Sequence, residues 1–234
     1  MMRQNNAFTL AETLITLGII GVVAAITIPN LITKLTNDRN SAMLKEDYSI
    51  LQNVLRKAYE DGAIADLTTP DNREEIINLF ENHFLTNMKV ASTCYNKPGC
   101  WSSDIKALNG KTITDRGFNA SNCGPGSISF TMNNGSTVCI NDIYGTNTSS
   151  IFGVNSSKYL NLIFYIDVNG IRNKPNTFGK DIFIIVFNNE SGEFIPAGHN
   201  KSKEDVNKDC KKSGTGYWCM EFIKNNGFKI PYIK

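Results

Sequence analysis

The chain has 234 residues, a formal net charge of +2 and 41% hydrophobic residues. That near-neutral balance gives no strong electrostatic drive toward nucleic acid, and the length allows one real core with residues to spare. With two histidines, and no Gly-x-Ser-x-Gly, P-loop or dinucleotide fingerprint, nothing in the chain points to an enzyme.

The N-terminus carries the most information. A short polar segment with one cation, Arg3, leads into about 21 apolar or small residues, Phe8 to Ile28, enough to cross a bilayer as a helix. Leu14, Ile15, Leu17, Ile19, Ile20, Val22, Val23, Ile26 and Ile28 make the run apolar all round, which no aqueous surface helix is. Pro29 closes it. Arg3 before the run and Lys34 and Arg39 after it leave the charge bias too weak to set orientation alone. Glu12 lies inside the run, where a carboxylate is costly without a partner. That acid argues against a plain cleaved signal peptide cut near Ala24-Ala25, and against a bare anchor.

The order Phe8-Thr9-Leu10, Glu12 and Pro29 resembles the N-terminus of type IV prepilins and of type II secretion pseudopilins. The resemblance implies that a prepilin peptidase cuts between Ala7 and Phe8 and methylates the new amine. It implies that the Phe8 amine of one subunit meets Glu12 of a neighbour, which sets subunit register. Two departures stand out: Ala7 occupies a position where the family usually has Gly, and Ala11 one where a larger aliphatic is common.

Past Pro29 the helical pattern continues. Leu44, Tyr48, Leu51, Leu55 and Ala58 recur at three- and four-residue spacing, with Val54 beside them and Lys45, Glu46, Asp47, Arg56 and Lys57 off the stripe. Asp61-Gly62 is the stop. One helix from Phe8 to about Gly62 is predicted, kinked or loosened at Gly21 and Pro29. Residues 1–7 are then a leader, 8–30 a transmembrane and filament-core helix, 31–62 its amphipathic continuation and 63–234 a globular domain outside the cytoplasm.

In that domain, Thr69-Pro70-Asp71 with Glu74 reads as a capped helix start, with Ile76, Ile77, Phe80 and Phe84 inward. Ile128, Phe130 and Met132 alternate, Asn133-Asn134-Gly135 turns, and Val138 and Ile140 alternate again: a β-hairpin. Leu160 to Val168 and Ile182 to Phe187 read as central strands. Residues 141–158, rich in Ser, Asn, Gly and Thr, read as an exposed loop. The fold class is α+β, a pilin-like long helix on an antiparallel sheet with disulfide-stapled loops.

The cysteines Cys94, Cys100, Cys123, Cys139, Cys210 and Cys219 all follow the apolar run, as suits an oxidising compartment. Six allow 15 connectivities; local spacing favours Cys94–Cys100, Cys123–Cys139 and Cys210–Cys219. No Cys-x-x-Cys occurs, and His83 and His199 lie at no zinc-ligand spacing from them.

The segment Asp167 to Asp181 joins the two apolar strands. Asp167, Asn169, Asn176 and Asp181 could offer calcium the hard oxygens it needs. Two carboxylates with no closing Glu depart from an EF-hand, and Arg172, Lys174 and Lys180 add positive charge. The competing reading is a polar hairpin closed by its own Asx turns. No other cofactor is indicated.

The reading that follows is a structural subunit of a pilin-like filament, either a type II secretion pseudopilin or a minor type IV pilin. Its partners would be other subunits, the prepilin peptidase, an inner-membrane assembly platform and the lipid bilayer. It would cross the inner membrane once, N-terminus cytoplasmic, its C-terminal domain periplasmic or extracellular. A DNA-uptake pilin is one alternative, for which Lys211, Lys212, Tyr217 and Trp218 are the available basic and aromatic residues. A membrane-anchored binding domain that never polymerises is another.

Overall fold

A helix of 51 residues, α1 (Leu10–Glu60), organises the molecule. The computed structural model describes residues 9–67, 69, 72–95, 97, 99–102, 104–113, 127–158, 160–171 and 173–231. At 1.5 Å per residue α1 is about 76 Å long. The helix runs unbroken through Gly21 and Pro29. It ends at Asp61, whose N–H reaches back to Lys57 O, and Gly62 follows at φ +78°. That left-handed turn is one that glycine adopts without strain.

The two halves of α1 differ sharply. Among the described residues none before Asn40 is buried, and Leu10 to Leu35 expose their apolar side chains. From Asn40 onward Met43, Leu44, Tyr48, Leu51, Val54, Leu55 and Ala58 are buried against the sheet. One charged residue placed off the stripe by the sequence pattern is instead buried: Asp47 is 0% exposed. It lies next to Tyr48 on the packed face, where the hairpin turn supplies it with a donor.

After the 3-10 turn Ala63–Asp66 comes α2 (Arg73–Leu79), continued by a π-turn over Phe80–Phe84 and by α3 (Leu85–Asn87). The cap of α2 is Asn72, whose side chain accepts from the N–H of Glu74 and Glu75. The start therefore lies later than Thr69-Pro70-Asp71 suggested; Pro70 and Asp71 lie outside the described residues. Thr69 N–H instead donates to Glu75 Oε2 at 3.2 Å. Ile76, Phe80 and Phe84 are buried and Ile77 partly so.

The strands β1 (Val90–Tyr95), β2 (Ile128–Met132), β3 (Thr137–Tyr144), β4 (Leu160–Asp167), β5 (Ile182–Asn188) and β6 (Glu193–Pro196) form one sheet. They pair in sequence order, each antiparallel to the next. The β2–β3 connection has four residues, Asn133 to Ser136, with Gly135 at φ +94°. Met132 N–H donates to Ser136 O, and Gly135 N–H to Met132 O. The positive φ at its third position is what the Asn-Gly signal supplies. The sequence pattern shows four of these strands; β1 and β6 are short edge strands without clear alternation. The β6 edge is blunted: Phe194 O accepts the Tyr48 hydroxyl at 2.8 Å, and Pro196 has no N–H to offer.

Side chains alternate across the sheet with period two. Phe130, Val138, Ile140, Leu162, Phe164, Ile166, Phe183, Ile185 and Phe187 face α1, α2 and α6 (Cys219–Asn225). Cys139, Ile163, Tyr165, Ile184 and Val186 face the other way into a second core with Trp101, Ile105, Phe152, Val154 and Phe178. Irregular segments and one short helix cover that outer face. The 141–158 segment is one of them, and it is not an exposed loop. It completes β3 and forms α4 (Gly145–Ser150), and Thr148, Phe152 and Val154 are buried. Its polar side chains are absorbed internally, as when Asn161 Nδ2 donates to Thr148 Oγ1 and Asn188 Nδ2 to Asn155 O.

Cys94–Cys100 and Cys210–Cys219 are bonded. Cys139 is also in a disulfide, and Cys123 lies outside the described residues. Closing a short loop in this way contributes roughly 2–3 kcal/mol.

Candidate functional sites on the N-terminal helix and the polar turn

The first site is the exposed start of α1. Thr9 is its N-cap, and Glu12 closes a reciprocal capping box. Glu12 N–H donates to Thr9 Oγ1 at 3.2 Å, while Thr9 N–H and Oγ1 donate to Glu12 Oε2 at 2.9 and 2.8 Å. The Thr-x-x-Glu spacing is a capping signal legible in the sequence. It bears on the carboxylate problem: in a lone subunit Glu12 already has two donors of its own. Ala7 and Phe8 lie outside the described residues.

Beyond Glu12, α1 carries no charged side chain until Lys34. It is the one helix among the described residues long and apolar enough to cross a membrane. Threonine and asparagine hydroxyls and amides along it bond back to carbonyls one turn earlier, as Thr27 does to Val23 O and Asn30 to Ile26 O. Such bonds keep polar groups satisfied without water.

Residues 2–28 match the family model described as the prokaryotic N-terminal methylation motif. The chain carries a prepilin motif. It is the motif of type IV pilins and pseudopilins, and it points to a structural, non-enzymatic protein that associates with other pilin subunits and with the prepilin peptidase. The long apolar helix that bears it is compatible with a single-pass membrane anchor. No curated protein and no solved structure matched the chain.

The second site is the β4–β5 connection, where the four residues singled out in the sequence converge. Asp181 is its hub. It accepts from Thr177 N–H at 2.6 Å, from Asn176 N–H at 2.8 Å and from Asn169 Nδ2 at 2.9 Å. Asn169 N–H donates to Asp167 Oδ1 at 3.3 Å. Asp167 is 0% and Asp181 1% exposed. Burial pushes the Asp167 carboxyl well above the ordinary range, and the Asp181 charge adds to this; burial likewise raises Asp181.

Oxygens are left over in this turn. Asp167 Oδ2, Asn169 Oδ1 and Asn176 Oδ1 are buried and have no hydrogen-bond partner. Two more orphaned oxygens lie beside them. Thr137 Oγ1 sits on β3 directly opposite Asp167 in the ladder. Ser102 Oγ faces Asp167 closely enough to lower its pKa, although neither it nor Asp167 Oδ2 reaches full hydrogen-bond geometry. The sequence alone pointed to neither Ser102 nor Thr137, because only the β3–β4 register and the docking of the 100–113 segment bring them here. Unpaired buried oxygens each cost about 1–3 kcal/mol, and several in one place call for a shared donor or cation. Among the described residues no three His, Cys, Asp or Glu side chains cluster as a metal site. A cation here would rest on two carboxylates plus neutral oxygens, the hard donor set that suits calcium rather than zinc. Arg172 lies outside the described residues. Lys174 turns away to pair with Asp104 at 3.0 Å.

The residues considered for nucleic-acid binding are differently placed. Lys211 and Lys212 are exposed. Tyr217 packs on Phe178 with centroids 5.0 Å apart, Trp218 Nε1 donates to Ile151 O, and Lys201 covers the indole face at 5.0 Å. Both rings are already engaged within the fold. Just before Lys211 in the chain, Lys203–Asp209 forms α5, capped by Ser202.

Proposed function

We propose that this protein is a structural subunit of a pilin-like filament, matured by cleavage before Phe8 and assembled through the N-terminal half of α1. The observation that carries the reading is the coincidence of the methylation motif with a helix whose residues before Asn40 bury nothing against their own domain. The exposed apolar side chains from Leu10 to Leu35 are unfavourable in water and need lipid or neighbouring helices around them. Held in the membrane as a monomer, the subunit would keep Glu12 in its own capping box. In the filament, Glu12 would take the Phe8 amine of a neighbour as well. The ATP-driven work of assembly would come from elsewhere. The engaged state of Tyr217 and Trp218 favours this reading over direct DNA binding.

The test is the intact mass and N-terminal sequence of the protein recovered from membranes. A chain beginning at methylated Phe8 supports the reading; one beginning at Met1, or a soluble product beginning near Ala25, overturns it.

Within this class, a cation held at the β4–β5 turn would lean toward the secretion pseudopilin, whereas the bonded Cys210–Cys219 loop leans toward the minor pilin. Asp167, Asn169, Asn176 and Asp181 would hold a calcium ion, whose role is structural: it gives the buried oxygens a common partner and offsets the mutual repulsion of the two carboxylates. Calorimetric titration of the purified protein with calcium chloride tests this, and absence of both heat and thermal stabilisation rejects it.

A further inference from the structure

The orphaned oxygens do not all belong to the β4–β5 turn, and the two that do not come from different parts of the chain. Of nine buried side-chain nitrogen or oxygen atoms without a partner among the described residues, five are Ser102 Oγ, Thr137 Oγ1, Asp167 Oδ2, Asn169 Oδ1 and Asn176 Oδ1. All five are oxygens, and Ser102, Thr137, Asp167 and Asn176 are each at most 5% exposed. Ser102 belongs to a strap, residues 100–102 and 104–113, which crosses the outer face of the sheet and buries Trp101 and Ile105 there.

We infer that the cation site proposed above extends to Ser102 and Thr137, and that the bound ion acts as a clasp fastening the 100–113 strap to the sheet. The inference rests on the cation reading of the turn.

The contacts beside the site give the clasp something to control. Lys106 N–H donates to Asn176 O at 3.0 Å, and Phe178 N–H to Lys106 O at 2.9 Å. The strap is thus bonded to Asn176, one of the proposed ligands, and to Phe178 two residues on. Farther along, Leu108 N–H donates to Thr215 O at 2.9 Å, which ties the strap to the loop closed by Cys210–Cys219. Gly216 sits so close to Phe178 that an added Cβ would lie 2.4 Å from the Phe178 carbonyl oxygen. Strap, turn and disulfide loop therefore form one packed group. Without the ion, two acids and four unpaired oxygens, Asp167 Oδ2 among them, lie beneath the strap, and releasing it readmits water to them. With the ion, the strap hydroxyl is a ligand and its departure breaks a coordination bond.

The experiment compares full-length protein in detergent micelles with the Ser102→Ala and Thr137→Val variants. Calcium affinity is measured by calorimetry, and backbone hydrogen exchange over 100–113 is followed with calcium or with chelator. The expected results are that calcium slows strap exchange about tenfold or more, and that each variant binds calcium about tenfold more weakly or worse. In Ser102→Ala the residual binding should no longer protect the strap. Two variants on different segments guard against one of them misfolding. Calcium binding with strap exchange unchanged, or with both variants at wild-type affinity, overturns the clasp and leaves the turn site standing. No calcium binding by the wild type overturns the turn site and the clasp with it.

Discussion

Asn134 Nδ2, at the tip of the β2–β3 turn, donates to Asp47 Oδ1 on α1 at 2.8 Å. The same amide also reaches Glu46 Oε2 at 3.2 Å. The hairpin tip is thereby fastened to the helix through a buried acid whose second oxygen, Oδ2, has no partner. Burial pushes the Asp47 carboxyl up to about 6, with the nearby Ser136 and Asn134 side chains opposing the rise and the Glu46 charge adding to it.

A pH dependence follows from this one group. Its folded pKa lies above the unfolded value of 3.8. The folded state therefore holds the proton more tightly, and stability falls as pH rises from about 4 to about 6. The difference corresponds to about 3 kcal/mol at most. Asp47→Asn keeps an acceptor for Asn134 and removes the charge. The variant should melt higher than wild type at pH 8, and the gap should close toward pH 4. Equal melting curves at pH 8 would show that the buried carboxylate carries no such cost.

Asp47 also shows where sequence reading stops. The stripe from Leu44 to Ala58 was legible because apolar residues at helical spacing leave few choices, and the hairpin was legible from Asn-Gly between alternating runs. An acid beside the stripe looks solvated until its donor is known, and that donor lies 87 positions away. The same holds for the outer core. Residues 141–158 have a loop's composition, yet Phe152 and Val154 are buried, and polar groups nearby are paired within the fold: Asn188 Nδ2 donates to Asn155 O and Asn189 N–H to Asn161 Oδ1. In the cation site the four turn residues were legible as a local cluster of oxygens. Ser102 and Thr137 were not, since their proximity depends on tertiary register.

Glu12 and the globular domain should be energetically separable. The carboxylate bonds only to Thr9 among the contacts described, and the helix around it is exposed. Glu12→Ala should leave the melting temperature of the domain unchanged while abolishing filament formation in an assembly assay. Thr9→Ala removes the cap, at a cost of about 1 kcal/mol to the helix start. It should retain assembly at reduced efficiency. Filaments of normal yield from Glu12→Ala would leave the protein as an anchored domain that does not polymerise.

If calcium occupies the β4–β5 turn, it binds the folded state and should stabilise it in proportion to the logarithm of its concentration. At a hundredfold excess over the dissociation constant the gain is about 2.7 kcal/mol. The melting temperature should rise with calcium, fall back on chelation and respond less to magnesium, which tolerates irregular oxygen cages poorly. Asp181→Asn turns one of the two oxygens that accept from Thr177, Asn176 and Asn169 into an amide donor and removes one charge. That variant should lose the calcium response. A response that persists in Asp181→Asn would place the ion elsewhere.

The two halves of α1 should respond oppositely to the same chemical change. Leu55 is 0% exposed among the aromatic and aliphatic residues of the inner core, whereas Leu35 is 59% exposed. Leu55→Ala removes buried methyl groups and leaves a cavity, so it should cost about 2–5 kcal/mol. It should affect assembly only as far as it lowers the amount of folded protein. Leu35→Ala removes no buried contact within the subunit, so thermal unfolding should shift by no more than about 0.5 kcal/mol. If Leu35 meets a neighbouring helix in the filament, its loss should appear in filament stability instead, read as earlier disassembly on heating or in mild detergent. A Leu35→Ala subunit with unaltered filaments would limit the intersubunit contact to the residues before Pro29, and a destabilised monomer would mean that the first half of α1 folds back on its own domain.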